Sequence, residues 1–385
     1  MTPILLLSAA LAASDPAPAD FAEDVKLLFQ VVTCQGGSLP EGLDPKVIEG
    51  YCAQQKPRFE RFRSHWGSAG RAFLAELRPK NAPTELVYPF GGGDLMMALT
   101  TFPEASVIST LSLELAGDPR RVRRVSDKNG LKNSLSAIAE ASNSTLTSND
   151  SKSVNLSKIQ RGELPGQLSM HLIGLGLFGY RPVAARYFRV EPNGALHYYT
   201  AAEIEALEGS PAERLRQGWT SPDFSLAFAN VEVEFVSADA PEGPHKIHRH
   251  FAADLSDAGL EKIPGLMVHL ASKGKVSAMT KAASYLLWRN EFSKVRDYLV
   301  AQASVMISDS TGVPVRFWKA AGCAITTFGS FQTSFLGTGA TLQSELRDEF
   351  KAQPRRALPM RFGYPDGSPD KTSHLLLVTC SGRPH

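Results

Sequence analysis

The chain has 385 residues, 43% of them hydrophobic and 21% charged, which is ordinary globular material long enough for one large core or two domains. A formal net charge of +2 lacks the basic excess of a general nucleic-acid binder. No run approaches the roughly eighteen uncharged apolar residues that a transmembrane helix needs.

Residues 1–19, MTPILLLSAALAASDPAPA, read as an export signal. Ile4–Ala13 is a short apolar run followed by small residues that offer small-x-small cleavage sites, although no Lys or Arg precedes it. A secreted or periplasmic protein is therefore expected. The four cysteines, an even number, suit an oxidising compartment. Cys34 and Cys52 flank a Gly/Pro-rich loop between two helical patterns, so a bridge there would staple a helical hairpin. Cys323 with Cys380 is the remaining pairing, and four buried free thiols are the alternative. There is no C-x-x-C, which leaves zinc ribbons, thioredoxin chemistry and haem attachment unsupported.

Apolar residues recur at helical spacing over Phe21–Val32 and Phe59–Leu77, predicting a helical N-terminal cap over 20–83 ahead of an α/β domain over 84–385. An apolar strand, ELVYPF, then empties into Gly91, Gly92 and Gly93. Asp94 caps the following helix, which stops before Pro103, and a second apolar run at Ser106–Leu115 contains Glu114. Strand, glycine turn, helix and strand make a βαβ unit, and Glu114 falls about twenty residues past the glycines, where dinucleotide folds place a ribose-binding acid. Arg120, Arg121, Arg123 and Arg124 follow, either as a solvated loop or as a patch for a phosphate or an acidic protein partner. Residues 126–166 are rich in Ser, Asn, Lys and Gly, and the stretch SNSTLTSNDSKSVNLS at their centre, residues 142–157, reads as a mobile surface loop or a boundary.

Gly174, Gly176 and Gly179 spell G-x-G-x-x-G, but Pro182 and the strand-like VAARYFRV after it deny the helix that a phosphate site requires. These glycines are expected to thin a helix for close packing and to end it. Asn230–Ser237 and His245–Ala252 alternate across a turn and predict an antiparallel hairpin. His248 and His250 share one face at period two and are the weak metal candidates; an exposed edge strand carrying polar residues is the plainer expectation. Further strands are expected at Val276–Lys281, Ala303–Ser308 and His374–Thr379, with helices at Leu266–Ser272, Phe292–Ala301 and Leu342–Lys351. Asp309, in DSTGVP, closes one of these strands at the edge where ligands gather in open α/β sheets, or simply opens a turn. The overall expectation is an α/β fold: a mostly parallel, Rossmann-like sheet with helices on both faces, one antiparallel hairpin and the helical cap.

Several segments together resemble a family of exported bacterial proteins without established function. YPFGGGD followed by a helix and Phe102–Pro103 is similar to its Y-P-F-S-G-x-D…F-P element, with Gly92 in place of Ser. LELAG at Leu113–Gly117 stands for L-E-P-x-G. HFAADLSDAGL (His250–Leu260), KAASYLLWRNEFSKVRDYL (Lys281–Leu299) and DSTGVPVRFW (Asp309–Trp318) match later elements in the same order. The resemblance implies export and one α/β body; it carries no activity. His248 and His250 stand where that pattern has aromatic residues. The opening half-fold is also similar, at fold level only, to a methyltransferase's cofactor half.

Three functions follow as expectations. The first is a small polar or anionic ligand held by Tyr88, Gly91, Gly92, Gly93, Asp94, Glu114 and Asp309. The second is transfer chemistry on a nucleoside-type cofactor such as S-adenosylmethionine, with Glu114 on the ribose. The third is a partner-binding scaffold using the Arg120–Arg124 loop. No G-x-S-x-G, P-loop or H-E-x-x-H occurs, so no cofactor, metal or reaction is fixed.

Overall fold

A computed structural model describes residues 16–37, 39, 42–125, 127–148, 159, 162–209, 225–309, 311–331, 340–360, 362 and 373–380. Most of the expected export signal lies outside the described residues.

The N-terminal region is helical. Helix α1 (Ala22–Thr33) is followed by α2 (Pro45–Phe62), capped by Asp44 with proline in its first turn, and a π-helical turn over Arg63–Gly67 leads into α3 (Ser68–Leu77). Cys34 and Cys52 are bonded, with Cα atoms 5.5 Å apart, and tie the end of α1 to the middle of α2. Cys323 and Cys380 form a second bridge, so no described cysteine is free.

Strand β1 (Glu85–Pro89), helix α4 (Leu95–Thr101) and strand β2 (Val107–Ser112) form the expected unit, with β1 and β2 parallel and Tyr88 in register with Thr110. Helices α5 (Lys128–Ser148) and α6 (Gly166–Leu177) follow. The first corrects the expectation of a loop or boundary over 142–157, since the helix runs on to Ser148. Leu131, Leu135, Ile138, Ser142 and Leu146 are all buried, and this stripe at helical spacing packs the polar-looking segment onto α2 and α6. Residues 149–157, the rest of that stretch, lie outside the described residues.

The rest of the sheet comprises β3 (Tyr180–Val190), β4 (Leu196–Tyr198), β5 (Asn230–Ser237), β6 (Lys246–Ala252), β7 (Val276–Thr280), β8 (Ala303–Ser308), β9 (Ala324–Gly329) and β10 (His374–Thr379). Helix α7 (Ala201–Gly209) follows β4, α8 (Asp257–Glu261) and α9 (Pro264–Ser272) follow β6, α10 (Ser293–Gln302) precedes β8, α11 (Val315–Ala320) precedes β9, and α12 (Ala340–Ala352) precedes β10.

The ten strands run in the order β4-β3-β5-β6-β2-β1-β7-β8-β10-β9. The five central strands, β6 to β8, are mutually parallel, while both wings pair antiparallel. The sheet is therefore mixed, and the expectation of a mostly parallel, Rossmann-like sheet is corrected. Its cause is nonlocal: β10 enters antiparallel between β8 and β9, and β3 with β4 extends the hairpin. No short-range pattern encodes such insertions.

Alternation along the central strands separates two cores. Leu86, Tyr88, Ile108, Met279 and Ile307 face α1, α4, α5 and α6. Val87, Leu111, Phe251, Ala278 and Met306 face α8 to α11. Burial on both faces is what a central parallel strand requires.

Candidate functional site

Because β6, β2, β1, β7 and β8 are parallel, their C-terminal ends share one edge of the sheet. That edge receives the Gly91–Asp94 bend after β1, Glu114 after β2, Lys281 after β7 and Asp309 after β8, and open α/β sheets bind ligands at such an edge.

The bend is more enclosed than an open mouth. Gly91, Gly92, Gly93 and Asp94 are all buried. Phe90 and Gly92 adopt left-handed backbone, with φ of 59° and 51°. For Phe90 this is an uncommon conformation costing on the order of 1 kcal/mol, the kind of local strain that gathers at functional loops. Its ring leans on Phe292, 5.9 Å between centroids. A Cβ on Gly93 would stand 2.7 Å from Met170 Cβ, so the absent side chain lets α6 close over the bend.

Asp94 is 1% exposed. Its carboxylate accepts from the Met97 amide (3.4 Å) and the Tyr88 hydroxyl (3.1 Å), and pairs with Lys281 Nζ at 2.5 Å. Burial draws this carboxyl above its ordinary pKa, against the opposing pull of Lys281 and Tyr88. Sequence reading placed Lys281 only at the end of an expected strand and within a family-like segment. Its role appears once β7 is seen beside β1, on the face that Tyr88 also occupies.

Glu114 is also buried, and burial raises its carboxyl pKa. Asp309 is 1% exposed and closes its own turn, accepting from the Thr311 amide at 2.8 Å and from the Thr311 hydroxyl. Ser308 and Thr280 are joined at 2.9 Å beside Gly312, where a Cβ would collide with both hydroxyls.

The histidines lie one strand over. The expectation of an exposed edge for His248 and His250 is corrected: β6 sits between β5 and β2, and both side chains have no exposure. They do share one face, while Arg249 points the other way to Glu232 (2.7 Å). Thr110 Oγ1 bridges His248 Nε2 (2.9 Å) and His250 Nδ1 (3.1 Å). His171, from α6, packs edge-on against His248 and tilted against His250, with centroids 4.4 and 5.0 Å away, and its Nε2 meets the Gly92 carbonyl at 3.1 Å. Within an apolar helix nothing marked His171 as special. Gln167, one turn earlier, is fully buried with no partner for its amide. Among the described residues, no three His, Cys, Asp or Glu side chains form a set able to hold a metal.

Two further sequence features make contacts within the fold. Gly174 brings α6 against the Met96 amide, Gly176 abuts Thr33, and Gly179 turns the chain at φ 72°, so the G-x-G-x-x-G string serves packing and helix termination. Arg120 is engaged by Asp118 and Glu208 and lies 4.7 Å over the Phe228 ring, and Arg123 pairs with Asp24. Two cations of the basic run are thus engaged in ion pairs, Arg120 half-buried and Arg123 at the surface. No described helix is long and apolar enough to cross a membrane.

Comparison of the chain with known protein families, curated proteins and solved structures found no match.

Proposed function

We propose that the protein binds a small polar ligand at the strand-end crevice bounded by the Gly91–Asp94 bend, Glu114 and Asp309, in a secreted or periplasmic setting. The observation carrying this reading is the Tyr88–Asp94–Lys281 cluster: an acid, a base and a phenol, all buried, converge where a parallel sheet ordinarily takes its ligand. A fold needs no buried ion pair there, because an apolar triplet of similar volume is often as stable. The left-handed Phe90 beside it adds local strain that a packing role alone does not call for. With Lys281 already paired to Asp94, the crevice holds little surplus positive charge. That favours a neutral polar ligand over a strong anion. The two disulfides accord with an oxidising compartment, which argues against a cytosolic nucleoside cofactor.

The test is a panel of polar metabolites, including S-adenosylmethionine and NAD, screened by thermal melting against wild type, Glu114→Gln and Gly92→Val. A ligand at a hundredfold excess over Kd adds about 2.7 kcal/mol to stability. We expect at least one compound to raise the wild-type Tm and to lose that effect in Gly92→Val. Identical, flat responses of all three proteins across the panel would remove the reading.

A further inference from the structure

We propose that His171, His248 and His250 form an acid-released latch over the candidate site, in which protonation of His171 and His248 parts α6 from the sheet, frees the Gly92 carbonyl and opens the bend. This regulates the site under the ligand-binding reading given above and rests on it.

The hydrogen bonds fix the tautomers. His250 Nε2 lies 2.7 Å from the Glu114 carbonyl, an acceptor only, so it carries the hydrogen and Nδ1 presents a lone pair. Thr110 has one hydroxyl hydrogen and must donate it there. Its oxygen then accepts from His248 Nε2–H, which leaves the lone pair of His248 on Nδ1. His171 donates Nε2–H to the Gly92 carbonyl, which leaves its lone pair on Nδ1 as well. The Nδ1 atoms of His171 and His248 have no partner, and both rings are wholly buried. These two atoms can each take a proton without breaking an existing hydrogen bond, whereas His250 uses both nitrogens.

Two imidazolium rings at a 4.4 Å centroid separation would repel in a dry core. Among the described residues, none supplies a counter-charge to these rings. Glu114, after β2, is held toward its neutral form by burial. Asp94, on the bend, is committed to Lys281 and Tyr88. Helix α4 has no titratable side chain, and Arg249 of β6 faces the other core with Glu232. On α5, which packs against α6, Lys128, Lys132 and Glu140 are exposed. On α1, Glu23 pairs with Lys26, and Asp24 pairs with Arg123. On β3, Arg186 reaches Glu232 and Glu234, and Arg189 reaches Glu191.

Burial, reinforced by the neighbouring rings, holds His171 and His248 well below their ordinary pKa, and burial brings His250 down to about 4. An opened, hydrated ring returns toward about 6.5. The closed form is therefore fully favoured above about pH 6.5 and loses ground as pH falls below it. Each imidazole shifts the open-to-closed ratio by up to about tenfold per pH unit. His171 joins α6 to the bend through its bond to the Gly92 carbonyl, so the bend and α6 are where the release should be felt.

Hydrogen exchange followed by mass spectrometry on full-length protein at pH 7.5 and 5.5, corrected for the intrinsic pH dependence, tests the latch. We expect opening of the Tyr88–Thr101 and Gly166–Leu177 segments to rise about tenfold or more at pH 5.5. Strands β8 to β10 should stay protected, and His171→Phe/His248→Phe should show no acid-dependent rise. No local rise in wild type, a rise spread over the whole chain, or the same rise in the double variant would overturn it. Should the double variant fail to fold, histidine proton resonances of wild type decide: rings that titrate together with the opening support the latch, and rings that stay neutral while the bend opens refute it. Repeating the ligand panel at both pH values separates the two claims. Equal affinity at both defeats the latch alone, and local acid opening without binding at either defeats the ligand reading alone.

Discussion

Lys281 and Asp94, brought from the ends of neighbouring parallel strands, meet at 2.5 Å with neither side chain more than 2% exposed. Such a pair tolerates joint replacement far better than the loss of one member, because removing one leaves an uncompensated charge in a dry setting.

Lys281→Met should therefore destabilise the protein by about 3–5 kcal/mol, whereas Asp94→Asn/Lys281→Met should recover most of that loss. Urea unfolding of the three proteins measures it. A double variant as unstable as the single one would mean that Lys281 acts mainly through packing of its stem.

The glycine bend gives a steric prediction. A methyl group on Gly93 meets Met170 Cβ at 2.7 Å, and Met170 belongs to a helix that cannot retreat without disturbing His171. Gly93→Ala should cost about 1–3 kcal/mol by overpacking. Gly93→Ala/Met170→Gly, which removes the opposing Cβ, should lose the clash and show a coupling energy of opposite sign. Additive losses in that cycle would place the strain elsewhere.

Much of this arrangement could be read from the chain, and the failures share a cause. Ala303–Ser308 and His374–Thr379 were legible as strands, and the hairpin as a hairpin, because burial on one or both faces writes a local pattern. Cys34 and Cys52 were legible because their loop is short. Helix α5 was hidden by its Ser and Asn content, although Leu131, Leu135, Ile138 and Leu146 carried the stripe. What no window reveals is which strands become neighbours. The burial of His248 and His250, the partnership of Asp94 with Lys281 and the antiparallel seat of β10 all depend on strand order. The glycines, Asp94, Glu114 and Asp309 could be nominated from their types, while the positions of Lys281, Thr110, Gln167 and His171 beside them needed the third dimension.

The two disulfides should differ in effect. Cys34–Cys52 spans 18 residues and Cys323–Cys380 spans 57. Chain-entropy arguments then give losses of about 3 and about 4 kcal/mol on removal. Paired Cys→Ser variants melted in denaturant check the order. The first bridge ties the N-terminal helices that carry α5, so its loss should also raise exchange in α5 without touching β9 and β10.

A pH effect unrelated to the latch is expected from His269 on α9. Its Nδ1 lies 3.0 Å from the Gly194 carbonyl and its Nε2 has no partner. Burial first, and then the Lys273 charge, lower its pKa to about 4. A histidine depressed in the folded state stabilises the fold above its unfolded value of about 6.5, and that contribution is lost as pH falls toward 4. The loss should reach about 2–3 kcal/mol over the window, since the ring is mostly enclosed. His269→Gln retains a donor to Gly194 and cannot titrate, so its stability should fall less steeply than wild type between pH 6.5 and 4. Equal slopes for the two proteins would show that His269 keeps an ordinary pKa in the folded chain.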